Sequence, residues 1–382
     1  MIPVMRPWLG KEEADAAAEA VASGWIAQGP RVRKFEEAFA AAIGTPHAVA
    51  VSSCTAALHL ALIAAGIGQG DEVVVPSLSF IATANAVRYV GAQPVFADVD
   101  LATQNLTPQT VEPHLTARTR AVILVDQAGV PADLDAMRAL CDPLHITVVE
   151  DAACAAGSTY RGRPVGAGAE LAAFSFHPRK LLTTGEGGML TTPNGSIAAR
   201  LRRLREHGMD ISAADRHHSQ QPVIEHYTEV GFNFRMTDIQ AAIGLVQLRK
   251  LAEMVARRRV LAQRYQKLLS DISGLVTAGD PPYGETNYQS FWVLLPEEPA
   301  AGRDDLLQLL ADAGISARRG IMAAHLEPAY ADAKPSLPVT EQLTMHSLIL
   351  PLFHQMTQAQ QDHVVSVVTS ALTNSMPAIS VP

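Results

Sequence analysis

Cysteine is scarce in this 382-residue chain, with Cys54, Cys141 and Cys154 its whole supply. So sparse and odd a set, without metal-ligand spacing, argues against both a disulfide scaffold and a cysteine metal site. Charge is thin too: 18% of residues are charged and 48% hydrophobic, a balance that excludes an extended disordered chain. The formal charge is −8, so there is no basic surplus to draw nucleic acid or an anionic membrane, although a local basic pocket is compatible with it. No run is long and apolar enough to span a bilayer, and MIPVMRPWLGKEEAD has no basic-then-apolar leader. A cytoplasmic, reduced protein without a metal site is the expectation.

What is present is a repeating alternation. The runs HAVAVSS, DEVVVPS, PVFADVD, AVILVD, ITVVED and LAAFSF alternate with helical stretches such as TAALHLALIAAG and ATANAVRYVG. Continuous Val/Ile/Leu runs of this kind mark strands buried on both faces of a mainly parallel sheet, an α/β domain with helices on both sides. Glu12 to Ala22 reads as a preceding Ala-rich helix. Thr237 and Gln240 have capping-box spacing, and a helix is expected from there to about Leu269. Beyond it YQSFWVLLP and SLILPLF read as strands, RDDLLQLLADAG as a helix, and Thr357 with Gln360 caps a last one. The length exceeds what one core serves. A large domain over 1–245 and a smaller C-terminal α+β domain over 246–382 are expected, the long helix leading into the second. The segment Met209 to Val230 reads as a long polar loop.

Three features fall at strand ends, where open α/β sheets place their ligands. In VAVSSCTAALHLAL a strand runs into Ser52, Ser53, Cys54 and Thr55 and then a helix, whose free amides and hydroxyls suit a phosphate. An ordinary N-cap reads the same way. In ITVVEDAACAAG a carboxylate pair ends an apolar strand, and one acid there can hold a cationic heterocycle nitrogen or simply cap a helix. In LAAFSFHPRKLLTTGEGGMLTT, Lys180 follows a strand and precedes the Gly185, Gly187, Gly188 turn. Burial there lowers a lysine's pKa and frees its amine to attack a carbonyl, whereas an arbitrary lysine is a solvated surface charge. Phosphate loop, acid and lysine in that order point to pyridoxal phosphate. Weaker features are the pair His217 and His218, read as loop histidines before metal ligands, and the run Arg257, Arg258, Arg259, read as a solvated helix face. Cys54 could be an activated thiol at a helix start or simply packed.

With these residues in place, the chain resembles the DegT/DnrJ/EryC1/StrS aminotransferases, which have the aspartate-aminotransferase fold (fold type I of pyridoxal phosphate enzymes). The blocks carrying the resemblance include SGWIAQGPRVRKFEE, GIGQGDEVVVPSLSFIATANAV, GAQPVFADVD, VVEDAA, FSFHPRK, GEGGMLTT and GFNFRMTDIQAAIGLVQL. The resemblance implies that Lys180 carries pyridoxal phosphate as a Schiff base and shuttles the proton, and that Asp151 pairs with the pyridine nitrogen. It further implies that Thr55, with the backbone at Cys54 and Ala56, holds the phosphate with help from Ser175, and that Phe80 stacks on the ring. Asn233 is implied to reach the phosphate in a neighbouring subunit, making a homodimer with shared sites. Family members mostly aminate nucleotide-linked keto-sugars with glutamate as donor, while others act on aminocyclitol precursors. This chain departs from the commonest family pattern at Asp126, Gln127 and Ala128, at Cys154, where glutamine is usual near the cofactor's phenolic oxygen, and at Ala156. A dehydratase of this family would carry histidine in place of Lys180. A non-catalytic regulator would not need the intact lysine, aspartate and phosphate loop.

Overall fold

The structure is a computed structural model, and it describes residues 1–211 and 224–373. Its centre is a seven-stranded sheet built from β1 (His47–Val51), β2 (Glu72–Pro76), β3 (Gln93–Ala97), β4 (Thr119–Val125), β5 (Thr147–Asp151), β8 (Leu171–Ser175) and β9 (Gly188–Thr192). The short β6 (Thr159–Tyr160) and β7 (Arg163–Pro164) belong to a separate three-stranded sheet with Gly284–Glu285. The central order is β1-β9-β8-β5-β4-β2-β3, and β9 alone in that sheet runs antiparallel to its neighbours. The expected double burial is present. Along β4, Val122 and Leu124 face one hydrophobic cluster, while Ala121, Ile123 and Val125 face the other across the sheet, the period-two alternation of a strand covered on both sides.

Because the other strands share one direction, the carboxyl ends of β1, β2, β4, β5 and β8 come to one edge. Helices α1 (Lys11–Ala22), α2 (Pro30–Ile43), α3 (Cys54–Ala64) and α4 (Ala82–Tyr89) pack around it. Sequence patterning did not single out α2, yet it is tied down twice. Asp238, the first residue of the helix Asp238–Leu269, accepts from the amides of Gly29, Arg31 and Val32 and so caps its start. Phe39 meets Phe174 edge-on at 5.0 Å between centroids, and Phe35 meets Phe176 at 5.3 Å. Phe174 and Phe176 flank the end of β8, the strand end that leads to Lys180. Removing Phe39's ring would cost about 3–5 kcal/mol through the void left behind.

The capping boxes at Thr237–Gln240 and Thr357–Gln360 both form. The long helix runs over Asp238–Leu269. Beyond it, Val276–Thr277, Phe291–Leu294, Ser347–Leu350 and Arg318–Arg319 make a four-stranded sheet, antiparallel throughout. Helices Gly195–Leu204 and Pro338–His346 were not anticipated. The ends of the Met209–Val230 segment pair through a Met209–Tyr227 bridge. His217 and His218 lie outside the described residues.

The basic run on the long helix corrects its sequence reading. Arg258 is buried and donates to the carbonyls of Tyr288, Gln289 and Leu352 at 2.7–2.8 Å. Arg257 donates to His354 and Met356, and Arg259 pairs with Asp280. These arginines staple the helix to the chain beyond it. Burial pushes Arg258 down to about 9, so it stays a cation at neutral pH. A guanidinium with five donors can hold several carbonyls at once.

Candidate active site

The strand ends converge on a cavity of about 290 Å³ lined by residues from each of them, among them Ser53, Thr55, Thr83, Asp151, Ser175 and Lys180. At one end the chain leaves β1 and enters α3. Ser53 is the N-cap, its hydroxyl accepting from Ala56 N at 3.1 Å. The Cys54 and Thr55 amides, first in the helix, have no partner within it and carry its positive end. Both readings of this turn therefore hold at once: Ser53 caps the helix and two amides stay available. Ala56 is buried, and its amide is spent on the cap. Gly188, at the start of β9, comes so close to this turn that a Cβ would lie 2.5 Å from the Ser53 carbonyl carbon. Here glycine is a requirement of close approach.

At the other end Asp151 closes β5, and it is buried. Its carboxylate accepts from Thr83 Oγ1 at 3.1 Å and from Ala153 N at 3.2 Å. Burial pushes its pKa up against the opposing pull of those bonds and of Lys180. Such a carboxylate is short of a cation. Its neighbour Glu150 faces elsewhere, towards Asp126, and both are buried with one oxygen lacking a partner among the described residues. Burial raises both carboxyls, and the like charge of Glu150 raises Asp126 further, while a backbone hydrogen bond from Gly166 opposes the rise of Glu150. Of the two acids, Asp151 is the one in the cavity wall.

Between these ends lies Lys180, with Nζ 3.0 Å from Cys154 Sγ. The lowered pKa expected of it is corrected here. Burial does push it down, but the Cys154 thiol, Cys54 and Asp151 outweigh that and hold it above its ordinary value. Cys54 is pushed well up by burial and by Asp151, the opposite of an activated thiol, so packing is its role here. Phe80 lines the same cavity with its ring 70% exposed, free to cover a flat occupant. Asn233 is outside the cavity. It lies in sequence between Phe232 and Phe234, whose rings stack on each other, with its own side chain exposed, and Phe234 O accepts from Ser52 N at the neighbouring β1–α3 turn.

Several site residues were missed. Asn287 Nδ2 donates to the Cys154 and Ala156 carbonyls, both at 2.8 Å, while its Oδ1 fills the space a Cβ on Gly129 would take. Gln289 accepts from Leu181 N at 2.9 Å and donates to Arg179 O, bracketing Lys180. Gln127, one of the departures from the family pattern, lines the cavity and donates to Leu78 O. In the sequence, Gln289 falls inside the run YQSFWVLLP read as a strand and Asn287 just before it, and nothing there marks either as a site residue.

A helix-start turn with free amides and hydroxyls for a phosphate, a buried carboxylate for a ring cation and a lysine between them fit pyridoxal phosphate. Residues 7–369 match the DegT/DnrJ/EryC1/StrS aminotransferase family, and the chain belongs to it. It is an aminotransferase that works with pyridoxal phosphate, of the fold the family shares. Among solved structures it is similar to the aminotransferase TlmJ from Streptoalloteichus hindustanus, at 38% identity over 97% of this chain and 98% of that one, TM-score 0.89. DesV from S. venezuelae, solved with a ketimine intermediate, is 36% identical over 96% and 97%, TM-score 0.87. The sugar aminotransferase CalS13 from Micromonospora echinospora is 30% identical over 97% and 100%, TM-score 0.88. Among the described residues no helix is long and apolar enough to cross a membrane.

Proposed function

We propose that this enzyme aminates a nucleotide-linked keto-sugar with glutamate as amino donor, Lys180 carrying the proton. The observation that carries the reading is the single cavity holding Lys180 between Asp151 and the Ser53–Thr55 turn. Similarity to CalS13, a sugar aminotransferase, supports the acceptor class. When bound, pyridoxal phosphate supplies an electron sink for the pair left at the amine-bearing carbon.

The chain's own residues do the rest. Asp151, oriented by Thr83, holds a proton on the ring nitrogen by its buried negative charge. That ring cation in turn offsets the Asp151 charge that raises Lys180, bringing the amine closer to a free base. The amides of Cys54 and Thr55, with the Thr55 and Ser175 hydroxyls, hold the phosphate. Lys180 Nζ would accept a proton from the amine-bearing carbon and return it to the carbon on the other side of the nitrogen. Phe80 would cover the ring face and Cys154 would stand near the phenolic oxygen, both lining the cavity. In a homodimer, Asn233 reaches the phosphate of the neighbouring site, which accounts for its exposure here. The long helix divides the chain into a cofactor-binding part over 1–245 and a smaller part over 246–382.

The test is amino transfer from L-glutamate by purified holoenzyme to nucleotide-linked keto-hexoses and, in parallel, to a keto-inositol. Amination of the nucleotide-linked sugars is expected. Turnover of the keto-inositol alone would replace the acceptor with a cyclitol precursor. Mixing Lys180→Ala with Asn233→Ala subunits tests sharing, since a heterodimer then has one intact site and activity should partly return.

A further inference from the structure

Beside Lys180 a second and larger cavity, about 460 Å³, opens between the central sheet and the strand Arg318–Arg319, with Arg179, Arg318 and Arg319 in its wall. The proton chemistry described above makes no use of those three cations. Arg319 is engaged, lying 3.5 Å from Glu327. Among the described residues, neither the Arg179 nor the Arg318 guanidinium has a carboxylate at ion-pair distance, and the hydrogen bonds of Arg179 are made by its backbone. Burial, and then the nearness of Arg179, push Arg318 down from the ordinary arginine range. Two guanidiniums facing one partly shielded space repel each other until an anion joins them.

Both are held in place by the fold. Arg318 is fixed in a strand by pairing with Ile349, and the chain after it is anchored where Gly320 N donates to Ser347 O at 2.9 Å. Further on, Met322 O accepts from Ser79 N at 3.1 Å, which joins this loop to the one bearing Phe80. Arg179 precedes Lys180 in the chain, and its carbonyl is gripped by Gln289. One cation therefore comes from each side of the cleft, and each is set at a defined place relative to Nζ.

We propose that Arg179 and Arg318 form an anion seat, which receives the carboxylate or phosphate of the substrate presented to Lys180. The proposal rests on the amino-transfer reading and deepens it. Guanidinium forks match the paired oxygens of either group, and a neutral ketone would gain nothing from them. The seat gives one overall negative protein a local cationic mouth, drawing anionic substrates to the lysine.

The experiment titrates the holoenzyme calorimetrically with inorganic pyrophosphate and with maleate, which has no amino group to be converted. The parent protein should bind at least one of them. Arg179→Gln and Arg318→Gln should each weaken that binding by about tenfold or more, and Arg318→Lys should keep part of it. An unchanged visible cofactor spectrum in each variant shows that the Lys180 loop has kept its shape. Loss confined to pyrophosphate assigns the seat to a phosphate, and loss confined to maleate assigns it to the donor's carboxylate. Absence of binding by the parent, or equal binding by parent and both glutamine variants, overturns the seat. These titrations need no turnover. Intact seat binding without amino transfer from glutamate would sink the functional reading alone, and amino transfer without seat binding would sink the seat alone.

Discussion

The two walls of the active cleft are built on different plans. The sheet wall presents Ser53, Thr55, Asp151, Ser175 and Lys180, each within a few residues of a strand end. The opposite wall, from the long helix and the chain after it, contributes the buried Arg258, Asn287 and Gln289, whose bonds go almost wholly to backbone. One wall carries reactive groups and the other positions them. A sheet edge can offer charged side chains to a ligand because its backbone is already paired. A loop wall must first satisfy its own carbonyls, and Arg258 does that for Tyr288 and Gln289.

That contrast is broken most severely at Lys180. Lys180→Ala should lower amino transfer by about a thousandfold or more, because it removes the group proposed to carry the proton. Its melting temperature should fall, since the interactions that hold Lys180 above its ordinary pKa are lost and the buried Asp151 charge is left without its cation. Covalent fixation by borohydride should also disappear, and an adduct mapped to Lys250 would refute the assignment. Asp151→Asn comes next, with a loss of about a hundredfold from the missing charge at the ring nitrogen. Turnover near the parent's would mean that another group fills that role.

The positioning wall should answer differently. Gln289→Leu leaves the Leu181 amide unpaired, and a buried donor without a partner costs about 1–3 kcal/mol. Thermal melting should show that loss, with a smaller fall in rate than at Asp151. A variant as stable as the parent would mean that the bracket around Lys180 contributes nothing.

This division also governs what could be read in the sequence. The strand runs, both capping boxes and the order of turn, acid and lysine were legible because period-two burial and helix caps are local signals. Helix α2 was missed because its packing comes from Phe174 and Phe176, far along the chain, and its cap from Asp238. Arg257 to Arg259 looked like a solvated stripe because no local pattern says that loops will close over it. Asn287, Gln289 and Arg318 act through contacts more than a hundred residues away or across a cleft, so their neighbours in sequence carry no hint of them. The expected lowering of Lys180 failed for a related reason, since burial was foreseen and the flanking thiols and carboxylate were not.

Asp126 and Glu150 sharpen the comparison from behind the sheet wall. Both carboxyls are raised by burial, and Asp126 also by the charge of Glu150, so the folded protein holds a proton that the unfolded chain has released. For a raised carboxyl the stabilisation is full below the ordinary carboxylate range and is lost as pH climbs through the higher native value. The parent should therefore lose roughly 1–3 kcal/mol between about pH 5 and about pH 8. Glu150→Gln should flatten that slope, with a melting curve at each pH as the readout. An equal slope in the variant would mean that Glu150 holds no extra proton.

The smallest effect is expected at Cys154, where the two walls meet. Its thiol lies 3.0 Å from Lys180 Nζ, and its carbonyl is held by Asn287 on the far side. Backbone anchoring from one wall thus aims a side chain of the other at the lysine. A thiol is a weaker hydrogen-bond partner than an amide, so at the place proposed for it Cys154 would give the cofactor's phenolic oxygen less support than glutamine would. Cys154→Gln should shift the visible band of the bound cofactor and the pH at which that band titrates. Cys154→Ala should shift both by less, since little hydrogen-bond energy is removed and the apolar packing is kept. Turnover should change by only a fewfold in either variant, about 1 kcal/mol at most. If the parent and both variants share one spectrum and one titration, the contact with Lys180 is a feature of packing and Cys154 has no part in the polarity of the site.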